Sequence, residues 1–183
     1  MGTMQAAIDL SYPIGKFPWK QNVTSEGRAD RIAIVAGAPA RFREAVRGLD
    51  DTQLDTPYRP DGWTVRQLTH HVGDSHMNAF LRFRWALTEE NPALKGYDQA
   101  KWAQLHDSKT LPVEPSLTLL EGLHARWTDL LQSMTDADFE RTIEHSELGP
   151  LRLEQMLALY AWHTRHHATH ITALRERMGW AAA

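Results

Sequence analysis

The chain has 183 residues, 42% of them hydrophobic and 23% charged, with a formal charge of −3, a balance that suits one globular domain with a sizeable core. That small negative charge gives no electrostatic reason to expect nucleic acid or an anionic membrane as partner, and no apolar run approaches the roughly 18 residues that span a bilayer. There is no cysteine, which excludes disulfides, thiolate metal sites and a resident thiol nucleophile; any transition metal must rely on His, Asp or Glu.

Residues 1–10 lack the basic and apolar regions of a secretory signal, so the cytoplasm is the expected address. Asp9 to Lys20 (DLSYPIGKFPWK) carries two prolines and a glycine, and residues 1–20 are expected to form an extended arm packed by its aromatics. The stretch from Thr24 to Arg47 reads as a helix with Thr24 or Ser25 as N-cap, kinked or interrupted at Gly37 and Pro39. A second helix opens with a capping box, Thr64 with Gln67 three residues on, and runs to about Glu90, before Pro92. Asp98 to Leu105 suits a short extra helix. Ser116, after Pro115, is expected to cap a third long helix through Leu119, Leu120, Leu123, Trp127 and Leu131. The fourth spans about Leu153 to Met178, with Gly179 as its stop. Four long helices without a convincing alternating strand predict an all-α four-helix bundle, and the long connections permit crossovers.

Seven of the ten histidines fall within 70–76 and 163–170. On the fourth helix Leu153, Met156, Tyr160, His163, His167, Ile171, Leu174 and Met178 follow the spacing of one core-facing stripe. His163 and His167 stand one turn apart on it, about 6 Å along the axis, so both imidazoles can reach one ion. His170 borders that face and His166 is expected to point elsewhere, toward solvent. On the second helix Leu68, His71, Val72, Ser75, Ala79 and Phe83 mark the inward face, with His70 turned about 100° away and His76 near the edge. Spacing favours His71, His163 and His167 as metal ligands and leaves His76 and His170 open.

The stretches SYPIGKFPW, QLDTPYRPDGWTVRQLTHHVGDSHMNAFLRF, LYAWHTRHHATHI and RMGW together resemble the YfiT-like branch of the DinB superfamily, over about residues 9–180. The resemblance implies a bundle in up-down-down-up order, a homodimer, and one divalent ion, zinc or nickel, held by three histidines. Position by position those ligands fall on His71, His163 and His167. It also places Asp74, His76, Asn78 and Arg82 in a family-like motif at the expected pocket mouth, although a surface ion pair suits Arg82 better.

Three protein ligands leave a position for chemistry on a small-molecule substrate. One expectation is a hydrolase that activates water, as the family's usual label implies. The other is transfer of a small external thiol, a low-molecular-weight cosubstrate, to an electrophile, as in related members of the superfamily. HTRHH, residues 163–167, lacks the glutamate of HExxH, which leans toward thiol transfer. A non-catalytic module, with His170 or His76 closing the site as a fourth ligand, is the third reading.

Overall fold

The protein is described here from a computed structural model covering residues 9–180; the first eight residues of the expected arm lie outside the described residues. In chain order the elements are α1 (Arg28–Ala36), α2 (Ala38–Val46), α3 (Asp51–Leu54), α4 (Val65–Thr88), β1 (Ala93–Leu94), α5 (Gln99–Trp102), α6 (His106–Thr110), α7 (Glu114–Ser133), α8 (Asp136–Phe139), β2 (Thr142–His145), β3 (Gly149–Arg152) and α9 (Leu153–Met178). The four bundle helices are α1 with α2, then α4, α7 and α9.

The first bundle helix starts at Arg28 rather than Thr24, because Gly27, at φ 72°, turns the chain into it and the Thr24 carbonyl is taken by the Arg31 guanidinium. It breaks at Gly37, and Pro39 sits in the first turn of α2, where its missing N–H costs little. The Thr64–Gln67 capping box forms as expected, with its two hydrogen bonds at 3.0 and 3.1 Å. Ser116 does not cap α7. That helix opens earlier, at Glu114 with Pro115 in its first turn, which frees the Ser116 hydroxyl to meet His70 Nδ1 at 2.7 Å. Helix α9 runs from Leu153 to Met178, and Gly179 ends it at φ 68°.

Contacts between ends set the helix directions. Arg28 and Arg31, at the start of α1, pair with Glu154 at the start of α9, and Arg175 near the end of α9 reaches the Ala45 and Arg47 carbonyls. Those two helices are therefore parallel. Arg43 in α2 pairs with Glu114 at the start of α7, whereas Val35 in α1 meets His124 farther along it, so α7 is antiparallel to them. Meanwhile α4 runs with α7 (His70 to Ser116, His76 to His124) and against α9 (His71 to His167, His76 to His163). The order is up-down-down-up, and α4 and α1–α2 each pack on both α7 and α9.

The helices are joined by a small sheet that the sequence reading did not anticipate, in order β1-β2-β3, with β1 parallel and β3 antiparallel to β2. Strands of two to four residues are too short to display a period-two pattern.

Two apolar clusters fill the bundle. One holds Phe83, Trp127, Leu153 and Leu157, and the other Phe42, Leu68, Leu120 and Ile171. Between them, at mid-bundle, lies a polar layer that includes His71, His76, His124, His163 and His167. A carboxylate also lies inside. Glu154 is fully buried, held by Arg28 and Arg31 at 2.7 Å each. Glu154→Ala would leave both guanidinium groups without this partner, and a loss of about 3 kcal/mol is expected. In a chain of this size that reads as a melting temperature lowered by about 10 °C; an unchanged melt would mean the arginines find water instead.

Candidate metal centre

Three histidines on two antiparallel helices converge in the polar layer. One ring nitrogen each from His71, His163 and His167 lies within 4.8 Å of the others. Their ring centroids are 5.5 Å apart for His71 and His163, 5.0 Å for His71 and His167, and 4.3 Å for His163 and His167. The i, i+4 spacing on α9 and the antiparallel packing of α4 produce this meeting: His71 arrives opposite the turn that carries the other two. Trp63 packs on His71 at 4.7 Å.

Burial governs the electrostatics. Desolvation pushes the His71 imidazole down to about 4, with repulsion from a protonated His166 as a further cause. The same cause holds His163 and His167 well below the ordinary histidine range. All three are neutral near pH 7, as metal ligands must be. The Nδ1 of His167 is buried without a hydrogen-bond partner, an orphan atom of the kind that a bound cation relieves. The donor set fits a borderline divalent ion such as zinc or nickel.

The group opens onto a cavity of about 390 Å³. His163, His166 and His167 form its floor, and Tyr12, Arg59, Asp61, Trp63 and Trp162 contribute walls. The arm closes one side, with Trp162 donating to the Gly15 carbonyl at 3.2 Å and Phe17 edge-on to the Trp162 ring. A wider groove of about 600 Å³, between α2 and α9, includes none of these histidines.

The other sequence candidates lie elsewhere. His166 is buried, not solvated, because Trp162 stacks on it at 4.3 Å and Tyr12 covers it from the arm. His170 packs against Tyr58, and its Nε2 lies 3.1 Å from that of His166. His166, His167 and His170 form a second group close enough for a cation, but it shares His167 with the first and sits along one helix. Asp74, Asn78 and Arg82 are not among the cavity walls. Asn78 bonds to the Asp74 carbonyl, one turn back. Among the described residues Arg82 forms no surface ion pair; it is buried, with its charge acting on Tyr97 and His145. Desolvation pushes the Asp74 carboxyl up to about 6, and Asp107 adds to the shift. His76 is no edge residue. It is fully buried, 3.2 Å from His163 Nδ1 and 2.8 Å from His124 Nε2.

Sequence reading missed His124. The signal was present, since Leu117, Leu120, His124, Trp127 and Leu131, all buried, alternate in steps of three and four, whereas Leu119, assigned to the inward face, is exposed.

Residues 35–171 match the family model of the DinB superfamily. The chain belongs to the DinB superfamily. Among its DinB relatives, a Bacillus cereus protein and a Bacillus thuringiensis protein, each named "putative metal-dependent hydrolase", are 52% identical over 172 residues, covering 94% of this chain and 99% of theirs. The structure of YfiT from Bacillus subtilis, described as "a probable metal-dependent hydrolase with an unusual four-helix bundle topology", matches with a TM-score of 0.91 and 47% identity over 95% of this chain and all of that one. The up-down-down-up order traced above is the arrangement that the DinB resemblance implied. Among the described residues no helix is long and apolar enough to cross a membrane.

Proposed function

We propose that this DinB protein is a metal-dependent enzyme acting on a small molecule, with His71, His163 and His167 holding one divalent zinc or nickel ion. The observation that carries the reading is the convergence of three neutral imidazoles, two of which, His163 and His167, line a cavity, in a group that has no fourth His, Asp or Glu among the described residues. Structural sites normally close with four protein ligands. When bound, such an ion supplies Lewis-acid activation of a nucleophile beside it. The cavity suits a small organic substrate, with Trp63 and Trp162 as apolar walls and Arg59 as a cation for an anionic end.

For the nucleophile we favour an external low-molecular-weight thiol. The HTRHH segment lacks the base of HExxH, and among the cavity residues the sole carboxylate is Asp61, exposed on the rim. An ionised thiol needs no further base, and a chain without cysteine must receive it as a cosubstrate. Hydrolysis is the second reading. It is supported by the names of the relatives.

The test pairs a small thiol with an activated aryl halide, against a panel of nitrophenyl esters, using metal-loaded and chelator-stripped protein. Thiol transfer is expected to lose at least about tenfold in rate on stripping, a change of about 1.4 kcal/mol in the barrier, while ester cleavage stays slow. Ester cleavage that proceeds without thiol and is lost on stripping the metal would assign the chemistry to hydrolysis instead.

A further inference from the structure

The polar layer contains a chain of imidazoles that extends beyond the three converging histidines, and its hydrogen bonds have a direction. It begins at a backbone break. In an uninterrupted helix the Val35 carbonyl would accept from the N–H of residue 39, but residue 39 is proline and has none. That carbonyl is instead 2.7 Å from His124 Nδ1. A carbonyl only accepts, so the His124 proton is on Nδ1. In a neutral ring Nε2 is then an acceptor, and its partner at 2.8 Å, His76 Nδ1, must donate. The same step repeats: His76 Nε2 accepts from His163 Nδ1 at 3.2 Å. The remaining nitrogen of His163, Nε2, is left with a free lone pair. Its other neighbour, Ser75 Oγ, lies at a long 3.4 Å and can only donate to that lone pair, which leaves the tautomer unchanged.

Each of the four bundle helices contributes one member: Val35 from α1, His124 from α7, His76 from α4 and His163 from α9. His76 and His124 are buried with no carboxylate among their hydrogen-bond partners, so nothing adjacent favours an added proton, and burial holds both below the ordinary range. Three neutral rings in series transmit one orientation from a backbone carbonyl to a prospective ligand.

We infer that His76 and His124 are positioning residues that lock His163 as its Nδ1–H tautomer and aim its Nε2 lone pair at the metal position. This rests on the reading that His71, His163 and His167 hold an ion, and it adds two residues that touch neither ion nor substrate. Outer partners of metal-ligating histidines act in this way, fixing ring orientation and ligand basicity.

The experiment uses the full chain with ¹⁵N-labelled histidine. Long-range ¹H–¹⁵N correlation spectra of the metal-free protein read the tautomers, and zinc titrations against a competing chelator read affinity. Wild type, His124→Phe and His124→Gln are compared. Phenylalanine keeps the bulk and removes the acceptor for the His76 proton, whereas the glutamine Oε1 can still accept it. The expected result is Nδ1–H at His124, His76 and His163 in the wild type. Zinc should bind about 10–100-fold more weakly to His124→Phe, with most of the affinity recovered in His124→Gln. A purely structural role for His124 would lower melting temperatures without changing the His163 tautomer or separating the two variants in affinity. An Nε2–H tautomer at His163 in the wild type, or wild-type zinc affinity in a folded His124→Phe, overturns the inference while the three-histidine reading stands. Failure of the wild type itself to bind zinc overturns the metal reading, and the relay's role in aiming a ligand with it. Should His124→Phe not fold, the wild-type tautomers and the glutamine variant still decide.

Discussion

His71→Ala, His163→Ala and His167→Ala are each expected to lose stoichiometric zinc or nickel after dialysis, while His170→Ala keeps it. Structural zinc sites bind with about 10–16 kcal/mol spread over four ligands, so each imidazole is worth roughly 3–4 kcal/mol, or about 10²–10³ in affinity. The argument is geometric: His71 crosses from α4 to complete a group whose other members stand one turn apart on α9. The competing group is His166, His167 and His170. It shares His167, so His167→Ala alone does not discriminate. His71→Ala and His170→Ala do. Metal analysis of the dialysed variants is the measurement, and loss of the ion in His170→Ala with retention in His71→Ala would move the site along α9.

Chelation is expected to lower the melting temperature, and to do so more severely as the pH falls from about 7 toward 5. Burial pushes His71, His124 and His166 down to about 4 and His170 to about 3, and holds His76, His163 and His167 lower than usual. In the unfolded chain the same rings titrate near 6.5. Because the folded values are the lower ones, these histidines contribute their stability above about 6.5. It is lost as the pH drops from there toward 4, where the unfolded chain takes up protons that the fold refuses. Each ring in that state costs about 1.4 kcal/mol per pH unit, and with seven rings the metal-free bundle is expected to unfold steeply between pH 6.5 and 5. A bound ion stabilises the fold by mass action and needs the same rings neutral, so metal-loaded protein should hold to lower pH and then fail abruptly. Thermal melts from pH 8 to 4.5, with and without chelator, are the check. Superimposable curves at every pH would count against a histidine-bound metal.

Much of this protein is legible in its sequence because the signals are local. The Thr64–Gln67 capping box and the Gly179 stop act within one helical turn, and the His163–His167 pair needs only the 3.6-residue period to share a face. The same period carried His71 to the inward side of α4. The resemblance to DinB proteins matched these residues and supplied the helix order, which hydrophobic periodicity could not, since a stripe states that a helix is buried but not against which partner.

What only the tertiary structure decided depends on partners distant in sequence. Ser116 looked like a cap, yet its hydroxyl serves His70, 46 residues away. His166 looked solvated until the arm brought Tyr12 over it. His124 was not among the residues that the sequence singled out. Its role became visible when the antiparallel packing of α1 on α7 set it against the Val35 carbonyl that Pro39 leaves free. A hydrogen bond is directional and short-ranged, so three imidazoles form a chain only when four helices bring them within about 3 Å of one another. Sequence spacing determines which face a histidine occupies; helix packing alone determines which nitrogen it offers.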